Sequence, residues 1–97
     1  MAYEIVWLPK AEQRFDEIIS WLQAHWSDSE IIDFLYRVEE VLELIAENPE
    51  LYRRSEKADI HEAIVTKHNL LLYRKKGKTV ELLTFFDTRQ HPAKKFK

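Results

Sequence analysis

The stretch TFFDTRQHPAKKF, residues 84–96, holds the densest set of reactive side chains in the chain. Five such residues fall within nine positions: Asp87, Arg89, His91, Lys94 and Lys95. Carboxylates and imidazoles can move protons, while guanidinium and ammonium groups hold phosphates and other anions. The stretch opens with the β-prone residues Thr-Phe-Phe. It therefore predicts the end of a last strand followed by a basic tail, and the tail is the segment we expect to touch a target.

Asp87 and Arg89 are two residues apart, so in a strand they lie on the same face. One interpretation is an ion pair that fixes the tail; the other is an Arg89 left free to contact a phosphate or a protein target. An exposed ion pair contributes only ~0–1 kcal/mol, so stability alone gives little reason for the pair. Both interpretations of Arg89 stay open, whereas Asp87 by itself is predicted to be structural.

A second basic cluster surrounds the only glycine of the chain, Gly77, in Arg74-Lys75-Lys76-Gly77-Lys78. The glycine predicts a hairpin turn at positive φ, with Tyr73 and Arg74 turned to opposite faces of the sheet. The cluster either contacts nucleic acid or an acidic partner, or it is a solubilising turn whose lysines discourage edge pairing. The second interpretation is favoured.

The histidines do not predict a metal site. His61, His68 and His91 lie on different segments without ligand spacing, and the chain has no cysteine. We expect them to be solvated or to lie at sheet edges, and we expect neither a metal nor a cofactor.

Charge is divided unevenly along the chain. Residues 1–52 carry three basic and twelve acidic residues, a net of −9, whereas residues 53–97 carry twelve basic and five acidic ones, a net of +7. Such a division predicts a surface that attracts an anionic partner, or two oppositely charged halves that attract each other within one fold.

Hydrophobic periodicity predicts an α+β fold. Pro9 suits a first helical turn, Ser27 an N-cap with Glu30 three residues later, and Asn48-Pro49 a helix end. Trp7, Trp21 and Trp26 are expected in the core or between the helices. The predicted elements are a strand at 3–7, helices at 10–24 and 28–47, and strands at 60–65, 70–73 and 79–86. The order β-α-α-β-β-β implies a helical hairpin packed on a C-terminal antiparallel meander, with the other face of the sheet partly open.

Length and composition bound the class of protein. Ninety-seven residues, 45% of them hydrophobic, predict one folded domain over 1–97. No apolar run approaches the ~20 residues of a membrane helix, and no signal peptide is visible. We therefore expect a soluble protein of the cytoplasm.

The element order and several motifs resemble the RelE/ParE toxin superfamily, and the ParE-like members in particular. Val6-Trp7 followed by Pro9-Lys10-Ala11 is similar to the start of the family's first helix. HNLLLYR at 68–74 resembles the family's third-strand segment, and FDTRQHP at 86–92 resembles the end of ParE-like chains. The resemblance covers nearly the whole chain.

The resemblance implies the toxin of a type II toxin–antitoxin, or plasmid stabilisation, pair. It also implies a cognate antitoxin, partly disordered and acidic, that folds on the toxin to give a hetero-oligomer. Two activities occur in the superfamily: RelE-like members cut messenger RNA on the ribosome without metal, and ParE-like members inhibit DNA gyrase.

The RelE-like catalytic set is mostly missing. The resemblance implies lysines on the second strand, an arginine on the third and a late tyrosine, where this chain has IHEAIV, Leu70 and Phe96. A ribonuclease would have to use Arg89, His61 and His91. We therefore predict inhibition by binding, with RNA cleavage and a non-toxic interaction module as alternatives. The expected contacts with antitoxin or target, on a basic open surface that includes Arg53 and Arg54, are Arg74, Lys75, Lys76, Asp87, Arg89, Lys94 and Lys95.

Overall fold

The computed structural model describes residues 2–56 and 59–89. Its elements follow the predicted order with one additional short strand. They are β1 (Glu4–Trp7), α1 (Pro9–His25), α2 (Asp28–Glu47), β2 (Arg53–Arg54), β3 (His61–Thr66), β4 (Asn69–Lys76) and β5 (Thr79–Asp87). Neither helix has a stretch long and apolar enough to cross a membrane.

The two helices begin and end within one residue of the predicted positions. Pro9 occupies the first turn of α1, where a missing N–H costs nothing. Ser27 is the N-cap residue of α2, but its hydroxyl makes no hydrogen bond to the helix backbone. The Ser27 Oγ instead donates to a Glu30 carboxylate oxygen at 3.4 Å, so the bond from the Glu30 N–H to the Ser27 hydroxyl that defines the predicted capping box is absent. Only Trp26 and Ser27 separate the helices, which makes them a tight hairpin.

The sheet has five strands in the order β1-β5-β4-β3-β2. β3, β4 and β5 form the predicted antiparallel meander, and β1 pairs in parallel with β5 at one edge. The strand β2 was not predicted; it pairs with His61 and Glu62 at the other edge. The outer edge of β3 beyond Glu62 has no partner strand in the described part of the chain.

The core lies between the helical hairpin and one face of the sheet. Alternation places Ala63 and Val65 of β3 on that face, and Val41 and Ile45 of α2 pack against the same cluster. Four aromatic rings pack together around Phe15 of α1. The Phe15 ring centroid lies 5.3–6.1 Å from the centroids of Trp7, Phe34 and Phe85. Burial of this cluster holds the hairpin on the sheet.

The opposite face of the sheet, expected from the sequence to be basic, has two of its arginines paired with carboxylates. In its described part, Arg53 is paired with Glu62 at 2.6 Å and Arg74 with Glu81 at 2.7 Å. Between these pairs, Leu72 and Thr84 are buried. These cross-strand pairs neutralise Arg53 and Arg74, so neither arginine adds net positive charge to the described part of this face.

Candidate functional site

Asp87 and Arg89 form the ion pair that was one of the two interpretations. The Arg89 Nε donates to Asp87 Oδ1 at 3.0 Å and an Nη donates to Oδ2 at 2.7 Å, a bidentate arrangement. The Arg89 backbone N–H also donates to Oδ1, at 2.9 Å. Hydrogen bonding from Arg89 lowers the pKa of the Asp87 carboxyl below its usual value and raises the pKa of the guanidinium. Two N–H groups of the Arg89 guanidinium are therefore bonded within its own chain.

A hairpin turn fixes where this pair lies. The Thr88 N–H donates to the carbonyl oxygen of His68 at 3.0 Å, and the Thr88 hydroxyl donates to that of Lys67 at 3.2 Å. The turn between β3 and β4 thus holds the chain just after β5. We call this region, residues 64–69 and 87–89, the far end of the sheet.

The far end opens into a cavity of about 710 Å³ between the two helices and the ends of the strands. Trp21 and Trp26 line it and are about half exposed, at 47% and 48%. They therefore do not lie in the core; of the two environments expected for them, they have the one between the helices. They lie where the hairpin turns, at the edge of the helical face, with the His25 ring stacked on Trp21 at 4.5 Å. The His25 Nδ1–H donates to the Trp21 carbonyl oxygen at 2.9 Å, as suits the end of a helix.

Among the described residues that line this cavity, carboxylates outnumber cations. The lining includes four carboxylates and three cations: Glu17, Glu30, Asp33 and Asp87, and Lys10, Arg14 and Arg89. Arg14 is paired with Glu17 at 2.9 Å, as Arg89 is with Asp87. The described lining therefore has no surplus of positive charge with which to hold a phosphate.

His61 is buried rather than solvated or at an exposed edge, which corrects the expectation for this histidine. Its side chain is 7% exposed. The ring stacks on Tyr73 at 5.2 Å, and Nδ1–H donates to the Tyr52 carbonyl oxygen at 3.0 Å. His61 pairs with Tyr73 across the sheet, and Tyr73 pairs with Leu82 of β5. Leu82 lies five strand positions, about 16 Å, before Asp87. His61 and Arg89 do not share a site.

The β4–β5 hairpin tip, Lys75 to Lys78, gathers several cations that project without carboxylate partners; the exposed Lys67 at the far end likewise has none among the residues that the structure describes. Lys76 and Lys78 are exposed and make no ion pair in residues 2–56 and 59–89. Lys75 Nζ lies over the Tyr3 ring, 5.3 Å from its centroid. Gly77 has φ +60°, which confirms the predicted turn. Arg74, just below the tip, is neutralised by Glu81.

The structure separates the residues expected to form one contact surface. The tip and the Asp87–Arg89 pair lie at opposite ends of β5, whose nine residues span about 27 Å. Arg53 and Arg54 lie at the β2 edge, paired with Glu62 and Asp59. His91, Lys94 and Lys95 lie outside the described residues. Among the residues described, no group of three potential ligands could hold a metal ion.

Sequence reasoning missed Arg37. Its Nε donates to the Val65 carbonyl oxygen at 2.8 Å and an Nη donates to that of Ile64 at 3.0 Å. The other Nη bonds Glu40. Arg37 thus occupies the open edge of β3, where a strand could otherwise add. The signal in the sequence was a lone arginine on a helix otherwise rich in Glu and Asp.

Comparison with protein-family models gives a match to the ParE toxin of the type II toxin–antitoxin system parDE, over residues 5–92. The chain belongs to the ParE toxin family. No curated protein matches its sequence significantly.

Solved structures share the fold of this ParE-family chain at low sequence identity. The chromosomal ParDE system from P. aeruginosa gives a TM-score of 0.74 at 17% identity, covering 89% of this chain and 96% of that one. The E. coli DinJ–YafQ toxin–antitoxin complex gives 0.63 at 9% identity, covering 92% and 96%. The YoeB dimer from Staphylococcus aureus gives 0.61 at 15% identity, covering 89% and 97%. The α+β architecture is therefore that of the RelE/ParE superfamily.

Proposed function

We propose that this chain is a cytoplasmic toxin of a plasmid-stabilising type II pair, that it inhibits DNA gyrase by binding, and that a cognate antitoxin neutralises it. Family membership supports the toxin role. The observation that supports inhibition by binding is the pairing of the Arg89 side chain. The arginine that an RNA-cleaving member would aim at the scissile phosphate is bound bidentately by Asp87, beside a cavity richer in carboxylates than in cations.

Metal-free cleavage of RNA needs a base, an acid and cations that converge on one phosphate. His61 is buried at a different level of the sheet, with one ring nitrogen bonded to a backbone carbonyl. The remaining candidate, His91, lies outside the described residues. The described geometry thus supports binding as the mode of inhibition.

The hairpin tip is the contact with the gyrase–DNA complex in this proposal. The turn carries three positive charges, on Lys75, Lys76 and Lys78, and Gly77 permits its backbone conformation with φ +60°. Exposed lysines attract an anionic target over roughly a Debye length, ~8 Å at physiological salt. Because they are already exposed, binding need not first break an ion pair within the protein. Arg74 stays paired with Glu81 and supports the turn.

Controlled expression tests this function. The expected result is growth arrest with SOS induction and cleaved chromosomal DNA, while translated messages stay intact. An Arg89→Ala variant should arrest growth as well as the wild type does. Codon-phased cuts in translated messages, lost in Arg89→Ala, would make the protein a ribosome-dependent endonuclease. Unchanged growth at verified expression would make it a non-toxic module on the same fold.

A further inference from the structure

The exposed side of the helical layer is strongly acidic. Between Pro9 and Glu47 the chain has ten carboxylates and three cations, a net of −7. Two of the cations are held internally: Arg14 by Glu17, and Arg37 by Glu40 and two backbone carbonyls. The helices themselves therefore leave most of this negative charge uncompensated.

An apolar groove of about 500 Å³ runs through this acidic surface beside α2. We call it the α2 groove. Glu39 and Glu43 stand on its rim, and neither makes an ion pair in the part of the chain that the structure describes. Its apolar lining consists of Ile5, Phe15, Leu35, Val38, Leu42 and Ala46.

Apolar side chains continue along the exposed surface of α2 toward its N-terminus. Ile32 is 50% exposed, Leu35 40% and Tyr36 68%. Together with Glu39 and Glu43 they follow helical spacing, so they form one strip along the helix. Exposed apolar side chains gathered in a strip, rather than scattered singly, mark an interaction surface.

From these observations we infer the chemistry of the occupant: the α2 groove takes a basic amphipathic helix, with leucine-like residues toward Leu35 and Leu42 and lysines or arginines against Glu39 and Glu43. This inference rests on the proposed function, because the occupant is the antitoxin segment that covers the helical layer. That segment has the opposite charge from the acidic antitoxin that the sequence resemblance implied. A helix lying in a groove parallel to α2 buries apolar area along its length, and its cations meet carboxylates that lack an internal partner.

Two synthetic peptides test the charge directly. Each has 20 residues, the length of α2, with leucines repeated at three- and four-residue spacing; the other positions are Lys in one peptide and Glu in the other. Fluorescence anisotropy of the labelled peptides in about 0.1 M salt should show the Lys peptide binding at least tenfold more tightly than the Glu peptide.

Charge variants locate the binding. Glu39→Lys/Glu43→Lys should weaken binding of the Lys peptide at least tenfold. The control Glu4→Lys/Glu56→Lys makes the same change in net charge on exposed residues that do not line the groove, and it should change binding less than threefold. Circular dichroism checks that both variants fold. Equal loss in the two variants, tighter binding of the Glu peptide, or no binding of either peptide would each overturn the inference.

The peptide experiment and the expression experiment fail independently. Growth arrest through gyrase with tighter binding of the Glu peptide would support the proposed function and refute the inference about the α2 groove. Binding of the Lys peptide in the α2 groove with unchanged growth would support the inference about the groove's chemistry and refute the toxin role.

Discussion

The two ends of the sheet use positive charge in different ways. At the far end, Arg37 and Arg89 bond to the protein itself: Arg37 to two carbonyl oxygens of β3, Arg89 to both oxygens of Asp87. At the hairpin tip, Lys76 and Lys78 project into solvent. The arginines suit their role because a planar guanidinium can satisfy several acceptors at once, whereas a lysine ammonium is a hydrated point charge. The comparison separates cations that hold the fold from cations available to a partner.

Reversing charge at the tip should have the largest effect. Lys76→Glu removes one positive charge and adds a negative one where the anionic target is proposed to bind, so we expect at least a tenfold loss of gyrase inhibition. The measurement is the concentration of this protein that halves the supercoiling of relaxed plasmid by gyrase. The matched control is Lys67→Glu, an equal charge change on the exposed turn at the far end, and it should lose less than threefold. Equal losses would remove the distinction between the two ends.

Arg37 should matter for stability rather than for inhibition. Arg37→Met keeps the apolar stem but leaves the carbonyl oxygens of Ile64 and Val65 without their donor, so we expect a loss of about 1–3 kcal/mol in the free energy of unfolding. Urea denaturation measures it. Arg14→Met, which breaks only an exposed pair with Glu17, should cost no more than about 0.5 kcal/mol.

The same Arg37 variant also exposes the β3 edge. Ile64 is already 59% exposed there, so a freed edge should promote pairing between copies. Sedimentation at rising concentration should show association of Arg37→Met and none of Arg14→Met. If both variants stay as the wild type in stability and in association, Arg37 does not protect that edge.

The smallest effect is expected at the Asp87–Arg89 pair. Asp87 has a lowered pKa in the folded protein, so its contribution to stability is present above the carboxyl's ordinary pKa and is lost as pH falls through the folded value. Arg89→Gln should raise the Asp87 pKa toward the ordinary value of about 3.9, which a carbon-detected NMR titration would measure. The stability difference between wild type and Asp87→Asn should shrink toward zero in acid. An unshifted Asp87 pKa in Arg89→Gln would show that the pair does not exist in solution.

Sequence patterns predicted the elements better than their environment. Pro9, Asn48-Pro49 and Gly77 set helix and turn boundaries through local backbone chemistry, and all three act as expected. The strand β2 was missed because Arg53-Arg54 is too short and polar to show a period; tertiary pairing with β3 makes it a strand. The parallel pairing of β1 with β5 likewise depends on packing across the sheet.

Burial was the harder property to predict. His61 could have been placed inside, because it continues the inward alternation of Ala63 and Val65. Trp21 and Trp26 fall on or beside the apolar stripes of the helices, which suggested burial, whereas both lie half exposed where the helices turn, at the rim of a cavity. The ion pairs that neutralise Arg53 and Arg74 depend on cross-strand register, which a single sequence does not encode locally.

Gyrase activity in a purified reaction is the sharpest test of whether this protein inhibits by binding rather than by hydrolysis. Relaxed plasmid, gyrase and ATP are combined with rising amounts of this protein, and the same preparation is added to a translating extract. We expect supercoiling to stop at amounts of this protein comparable to gyrase while transcripts remain whole. Complete supercoiling at a large excess of protein, together with transcripts cut on ribosomes, would contradict it.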